Sequence, residues 1–196
     1  MKRLRERNSF WLEAKRQSVH AAGALFAVSA YFLGAFNTLI LSGITILIAT
    51  ALGYLRSRRT GIFRHLEDSL HNWVMGFERP GELPLNGLIT FAAGVFIVSL
   101  IFPVSVIVPS VLVLAFGDSL STLVGRLWGR NPLFYNEKKS WEGSGAFFFA
   151  ALAVLYFFVN PMKAVAIASL AAVVEGMPDV DDNITVPFAV AVFLSI

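Results

Sequence analysis

Two stretches of this sequence carry residue types that handle phosphate and metal ions. The first is Phe116-Gly117-Asp118-Ser119-Leu-Ser-Thr122-Leu-Val-Gly125-Arg126-Leu-Trp-Gly129-Arg130. On a helix, Asp118, Thr122, Gly125 and Gly129 share one face, so a carboxylate, a hydroxyl and two patches of bare backbone form a narrow polar groove. Small residues at this spacing also let helices pack closely. Packing gives no reason, however, for a carboxylate straight after the apolar run Ile107–Phe116, where an ionisable group is costly. Farther on, Asn136-Glu-Lys138-Lys139-Ser140-Trp141-Glu142-Gly143-Ser144 sets two adjacent cations beside that groove, an arrangement suited to clamping phosphate. The second stretch is Glu175-Gly-Met-Pro-Asp179-Val-Asp181-Asp182-Asn183. Its carboxylates repel one another with no basic residue in the segment, and a divalent cation relieves that repulsion. Oxygen ligands of this kind suit Mg²⁺ with substrate phosphates completing its shell. Near the start, Glu13, Arg16, His20 and Gly23 are spaced three, four and three apart and share a helical face, with His20 placed near a lipid head group.

The elements that position these residues are legible from where charge is missing. Of 196 residues 56% are hydrophobic and 15% charged, with a mean hydropathy of +0.67. Gln17–Leu55, Leu83–Gly117 and Gly143–Val174 are runs of 39, 35 and 32 residues, interrupted by one charge, Lys163, in the third. A crossing helix needs about 20 apolar residues, so each run is close to two crossings. Each also breaks near its middle, at Gly34 to Asn37, at Phe102-Pro103 and at Asn160-Pro161, where Gly, Asn and Pro favour a reversal. The pattern predicts three helical hairpins and a last crossing over Asn183–Ile196. The expected fold is all-α: a polytopic membrane bundle of about seven transmembrane helices forming one integral-membrane domain over residues 1–196.

Hairpins return the chain to the face it left. The basic residues accordingly fall as 6 in residues 1–16, 5 in 56–82, 4 in 118–142 and Lys163 alone. The positive-inside rule makes the shared face cytoplasmic. All 13 acidic residues lie there too, in those segments and in 175–183. The N-terminus and the site are therefore expected on the cytoplasmic side and the C-terminus on the other. Within 56–82, Leu66, Leu70, Trp73, Val74 and Phe77 predict an amphipathic helix lying in the interface. Arg79-Pro-Gly-Glu82-Leu-Pro84 forms a rigid entry to the third crossing, with Glu82 close to the membrane. The apolar stretch after the basic N-terminus is too long for a signal peptide and is taken as retained. With no Cys, a disulfide scaffold and a zinc–cysteine module are excluded. The pI near 9.4 suits anionic lipid head groups as partners of the N-terminus, with no nucleic acid implied.

Together these blocks resemble the CTP-dependent lipid-alcohol kinases, the family of dolichol kinase, phytol kinase and the fungal diacylglycerol kinase. The residues that carry the resemblance are Gly117-Asp118-Ser119 with Gly125-Arg126 and Gly129, Lys138-Lys139-Ser140-Trp141-Glu142-Gly143-Ser144, and Val174-Glu175 with Asp181-Asp182-Asn183-Ile184-Thr185-Val186-Pro187. The Glu13–Gly23 face is similar to the family's first helix, except that Gln17 stands where a basic residue is usual. The resemblance extends more distantly to CDP-diacylglycerol synthase, whose two aspartates lie about four residues apart around an Arg. Asp181-Asp182-Asn183 differs from that pattern and favours the kinase branch.

What the resemblance implies is phosphoryl transfer from CTP to the hydroxyl of a membrane lipid alcohol. Lys138 and Lys139 are then expected to hold phosphate, and Gly117, Ser119, Thr122, Gly125, Arg126, Gly129 and Ser140 to surround the nucleotide. Asp118, Asp181, Asp182 and Asn183 are expected to hold Mg²⁺, Asp118 doubling as a base, with His20 nearby. Glu13, Arg16, Glu82, Glu142 and Glu175 are further candidates. A cytidylyltransferase making a CDP-lipid is the alternative activity. A transporter is more remote, because transporters place polar groups at the bilayer midplane and open to both sides.

Overall fold

The structure, a computed structural model, describes residues 14–57 and 85–196. Glu13, Glu82 and the interfacial helix expected in 56–82 lie outside the described residues, apart from the last helical turn at 56–57.

Among the described residues the chain is helical except for one small hairpin and the connections. Helix α1 (residues 14–22) runs into α2 (Ala24–Ser57), followed by α3 (Asn86–Ile101) and α4 (Val104–Trp128). An antiparallel pair, β1 (Pro132–Leu133) and β2 (Asn136–Ser140), leads into α5 (Trp141–Leu155), α6 (Pro161–Glu175) and α7 (Asp182–Ser195).

The three expected breaks have local causes. Gly34 has φ 85° and ψ 169°, outside helical space. A glycine adopts this left-handed φ without steric cost. Ser29 Oγ and Thr38 Oγ1, nine residues apart, lie 3.1 Å from each other, whereas nine residues of straight helix span about 13.5 Å. The chain therefore folds back at Gly34, dividing α2 into two legs. At the second break, Pro103 is extended (φ −73°, ψ 162°) and starts α4. At the third, Asn160 caps α6, its Oδ1 accepting from the Lys163 amide at 2.9 Å, with Pro161 in the first turn.

α4 is the central helix. It packs against both α2 and α5, and its buried residues Ile107, Val111 and Leu114 belong to one core with Phe91 and Val95 of α3, Phe147 and Ala151 of α5, Ile167 and Ala168 of α6, and Val186 and Val190 of α7. Two stretches of the described residues are long and apolar enough to cross a membrane, Ala14–Tyr54 and Val104–Trp128. The first includes the reversal at Gly34. Helices α3, α5 and α7 are apolar but 16, 15 and 14 residues long, short of a full crossing by themselves.

Candidate active site

The end of α6 and the start of α7 meet the side of α4. Asp118 comes from α4, Glu175 is the last residue of α6 and Asp182 the first of α7. Each offers a carboxylate oxygen, and these oxygens lie within 4.8 Å of one another. Between them enters Lys139 from β2, its Nζ donating to Glu175 Oε1 at 2.5 Å and to Asp182 Oδ2 at 3.0 Å. Glu175 is 1% exposed, and its carboxylate is saturated from within. Ser121 Oγ donates to Oε1 at 2.8 Å and Ser144 Oγ to Oε2 at 3.4 Å. A buried carboxylate persists only when paired and hydrogen-bonded in this way. Burial disfavours the charged form of Lys139. The carboxylates of Glu175, Asp182 and Asp118 together outweigh that and hold its ammonium well above the ordinary lysine value.

The segment 175–183, which has no cation of its own, thus obtains one from 36 residues upstream. The supply depends on the hairpin. Leu133 of β1 is buried, and Asn136 Nδ2 donates to the Gly176 carbonyl at 3.0 Å, pinning the hairpin onto the turn after α6. A Cβ on Gly176 would meet Tyr135 Oη at 2.5 Å and Leu133 Cδ1 at 3.0 Å. Successive residues of a strand point to opposite sides. Lys139 therefore reaches the carboxylates while Lys138 is exposed, and the two cations expected as a common phosphate clamp separate into different tasks.

A cleft of about 1170 Å³ opens from the carboxylates, and it is lined by Arg16, His20, Gly23, Asp118, Thr122, Gly125, Arg126, Gly129, Lys138, Lys139, Ser140, Asp181, Asp182 and Asn183. The structure brings these expected residues together from four elements, α1, α4, β2 and α7, and the connections beside them. His20 Nε2 stands 3.3 Å from Asp118 Oδ2. Gly125 and Gly143 face each other where α4 and α5 cross, since a Cβ on Gly143 would come within 3.4 Å of Gly125 Cα. Their small size thus serves helix packing as well as the cleft wall.

Other expected site residues are placed differently. Gly117 does not line the cleft; a side chain there would run into the Phe147 ring, at 2.8 Å from Cε2. Ser119 is buried, its hydroxyl near the carbonyls of Ala115 (2.6 Å) and Gln17 (3.2 Å), where it ties α1 to α4. Both are next to Asp118 in sequence, but about 100° away around the helix. Glu142 accepts from Asn131 Nδ2 at 2.8 Å and steadies the connection before β1. Asp181 caps α7 by accepting from the Asn183 amide at 3.0 Å, so the third convergent carboxylate is that of Glu175. Asn183 Nδ2 donates to Thr90 Oγ1 at 3.0 Å. Ser121 and Thr90 are participants that were not singled out, and Asn136 and Ser144 stood at the ends of the Asn136–Ser144 motif with no role given to them. Ser121 alone had a local signal, lying three residues after Asp118 on the same side of α4.

The donor set suits a metal ion. Three carboxylates against one ammonium leave two negative charges, and hard oxygen donors at this separation fit a divalent cation such as Mg²⁺.

Comparison with known proteins bears on the choice of chemistry. The chain is 28% identical to a probable chloroplastic phytol kinase of Triticum aestivum, over 95% of this chain and 68% of that protein. It is 33% identical to the chloroplastic farnesol kinase of Arabidopsis thaliana, over 36% of this chain and 28% of the other. It is 38% identical to CTP-dependent diacylglycerol kinase 1 of Schizosaccharomyces pombe, over 40% and 37%. All three relatives are kinases by name, and the name of the third makes it CTP-dependent. The chain spans about two thirds of the wheat protein and less of the other two. No family model matches, and no solved structure matches.

Proposed function

We propose that this protein transfers the γ-phosphoryl group of CTP to the hydroxyl of an alcohol that resides in the membrane. The observation that carries this reading is the convergence of Asp118, Glu175 and Asp182 with Lys139 at the mouth of a cleft whose far wall is apolar.

A loose phosphoryl-transfer transition state asks mainly for positioning and charge neutralisation. Lys138, exposed at the rim, binds the nucleotide's phosphates, with Arg126 and the backbone around Gly129 and Ser140 as the adjoining wall. Asp118 and Asp182 hold the divalent cation, and Glu175 fixes Lys139 beside them. A divalent cation held there would neutralise the phosphate oxygens and the charge that develops on them. The alcohol oxygen bonds to the γ-phosphorus while the bond to the β–γ bridging oxygen breaks and CDP leaves. The hydroxyl proton passes to the Asp118 carboxylate, which His20 adjoins.

The surface supports a membrane setting. Tyr31, Phe32, Phe36 and Leu47 of α2 are about 70% exposed, an apolar belt that a water-soluble monomer rarely presents. In this reading the two legs of α2 and helices α3 to α7 make seven crossings, the N-terminus and the site are cytoplasmic, and the alcohol arrives sideways from the bilayer.

Purified protein in lipid nanodiscs, given γ-labelled or α-labelled CTP and a lipid alcohol, tests the activity. Label enters lipid from the γ-position alone if the protein is a kinase. Entry from the α-position, with release of pyrophosphate, would show a cytidylyltransferase instead.

A further inference from the structure

Away from the carboxylates the cleft turns apolar. Its far walls include Leu25 and Phe26 on the first leg of α2, Leu41 on the second, and Leu88 and Phe91 on α3. Leu25, Leu41 and Leu88 are exposed despite being aliphatic, whereas Phe91 is buried at 3%. The Phe91 ring stands edge-on to His20, with centroids 4.9 Å apart, and lies roughly parallel to Phe26 at 6.2 Å. It occupies that position because residue 23 is glycine, and any Cβ there would collide with the Phe91 ring.

Where the polar and apolar parts meet, two buried polar atoms make no hydrogen bond. One is His20 Nε2. The other is Asn183 Oδ1, whose companion Nδ2 is engaged by Thr90. Native structures rarely leave such atoms unmatched, because each costs the full desolvation of the group. Both residues line the cleft. A hydroxyl both donates and accepts. Its oxygen can lie against His20 Nε2, and its hydrogen can point to Asn183 Oδ1 before turning to the Asp118 carboxylate, 3.3 Å from that nitrogen, as transfer proceeds.

We propose that this arm is the alcohol subsite: the substrate's hydroxyl is received by His20 Nε2 and Asn183 Oδ1, and a single hydrocarbon chain runs along Phe91 between α3 and the two legs of α2. The proposal rests on the reading of the protein as acting on membrane alcohols. The polar end continuous with the apolar arm argues for an amphiphile with one small polar group. Phe91 is then the residue that sets how the carbons next to the hydroxyl lie.

The test uses a farnesol analogue carrying a diazirine at its tail end, with the full chain in phosphatidylcholine nanodiscs and no nucleotide. Photo-adducts are expected within residues 19–26, 41–45 and 85–91, competed by unlabelled farnesol and lost in Leu41→Trp, which fills the arm at an exposed position. Adducts on the outer faces of α5 and α6, or adducts that persist under competition, would overturn the subsite. Kinetics give a second readout. Phe91→Leu should raise the alcohol KM about threefold to tenfold while the CTP KM stays put, the size of one lost aromatic contact. A fall in kcat with the alcohol KM unchanged would count against it. The two readings fail separately. Competed adducts without transfer of γ-label retain the subsite and remove the kinase; transfer with adducts elsewhere removes the subsite alone.

Discussion

α2, with α1 leading into it, and α4 are the two stretches of the described residues long and apolar enough to cross a membrane, and they sit in opposite surroundings. In the most apolar window of Ala14–Tyr54, 17% of residues are buried within the protein; in that of Val104–Trp128 the figure is 67%. Hydropathy does not distinguish them, because lipid is as apolar as a protein core. What differs is cargo. α4 carries Asp118, Ser121 and the glycine face, and is held on several sides by α2, α5 and α7. α2 turns Tyr31, Phe32 and Leu47 outward and lines the cleft mainly with the apolar side chains of Leu25, Phe26 and Leu41. The polar chemistry is concentrated on the helix that its neighbours enclose, and in the proposed function the outward-facing helix bounds the route by which the alcohol arrives.

Substitutions sharpen that contrast. The largest effect is expected at Glu175. Glu175→Gln removes one partner of a buried ion pair, which costs about 3–5 kcal/mol, and it releases Lys139 from the carboxylates. Thermal unfolding in detergent should fall steeply and transfer should drop by about 100-fold or more; a variant with wild-type melting would remove the pair from its structural role. Next comes the α4 core: Leu114→Ala, at a fully buried position, should destabilise by about 2–5 kcal/mol. Gly176→Val should cost about 1–3 kcal/mol through the clash with Tyr135 and Leu133. It should lower activity beyond that loss, because the hairpin no longer delivers Lys139. On α2, Leu47→Ala at a 71% exposed site should stay within about 0.5 kcal/mol. A loss as large as that of Leu114→Ala would erase the distinction between the two helices.

The smallest predicted effect is a flat pH profile. The raised pKa of Lys139 means its contribution to stability is fully present below the unfolded lysine value near 10.4 and is lost only as pH climbs through the higher folded value. The melting difference between wild type and Lys139→Met should therefore be constant from about pH 6 to about pH 9. A difference that shrinks across this range would mean that the ammonium is not held by the carboxylates.

Much of the helical frame was legible because its punctuation is chemical. Gly34, Pro103 and Asn160-Pro161 each dictate a backbone outcome locally, and the chain breaks at all three. The groove of Asp118, Thr122, Gly125 and Gly129 followed from helical periodicity alone. Gly117 and Ser119 were expected at the site because of the resemblance, although the same periodicity turns them away from it. The hairpin was not legible: Asn136-Glu-Lys-Lys-Ser140 has little intrinsic strand preference, and its pairing depends on Leu133 finding a buried seat near Gly176. With the hairpin hidden, so was the divergence of Lys138 from Lys139. Glu175 read as one of several acids in a loop because its partners, Ser121, Lys139 and Ser144, are 54, 36 and 31 residues away. Local sequence carries no record of that meeting.

The most direct test of the central claim compares wild type and Asp118→Asn in the same nanodiscs with γ-labelled CTP, Mg²⁺ and farnesol. The account predicts label in the lipid from wild type, abolished by chelating the metal and restored by adding it back. From the folded variant it predicts a fall of about 100-fold or more. Equal labelling by the two proteins would contradict it.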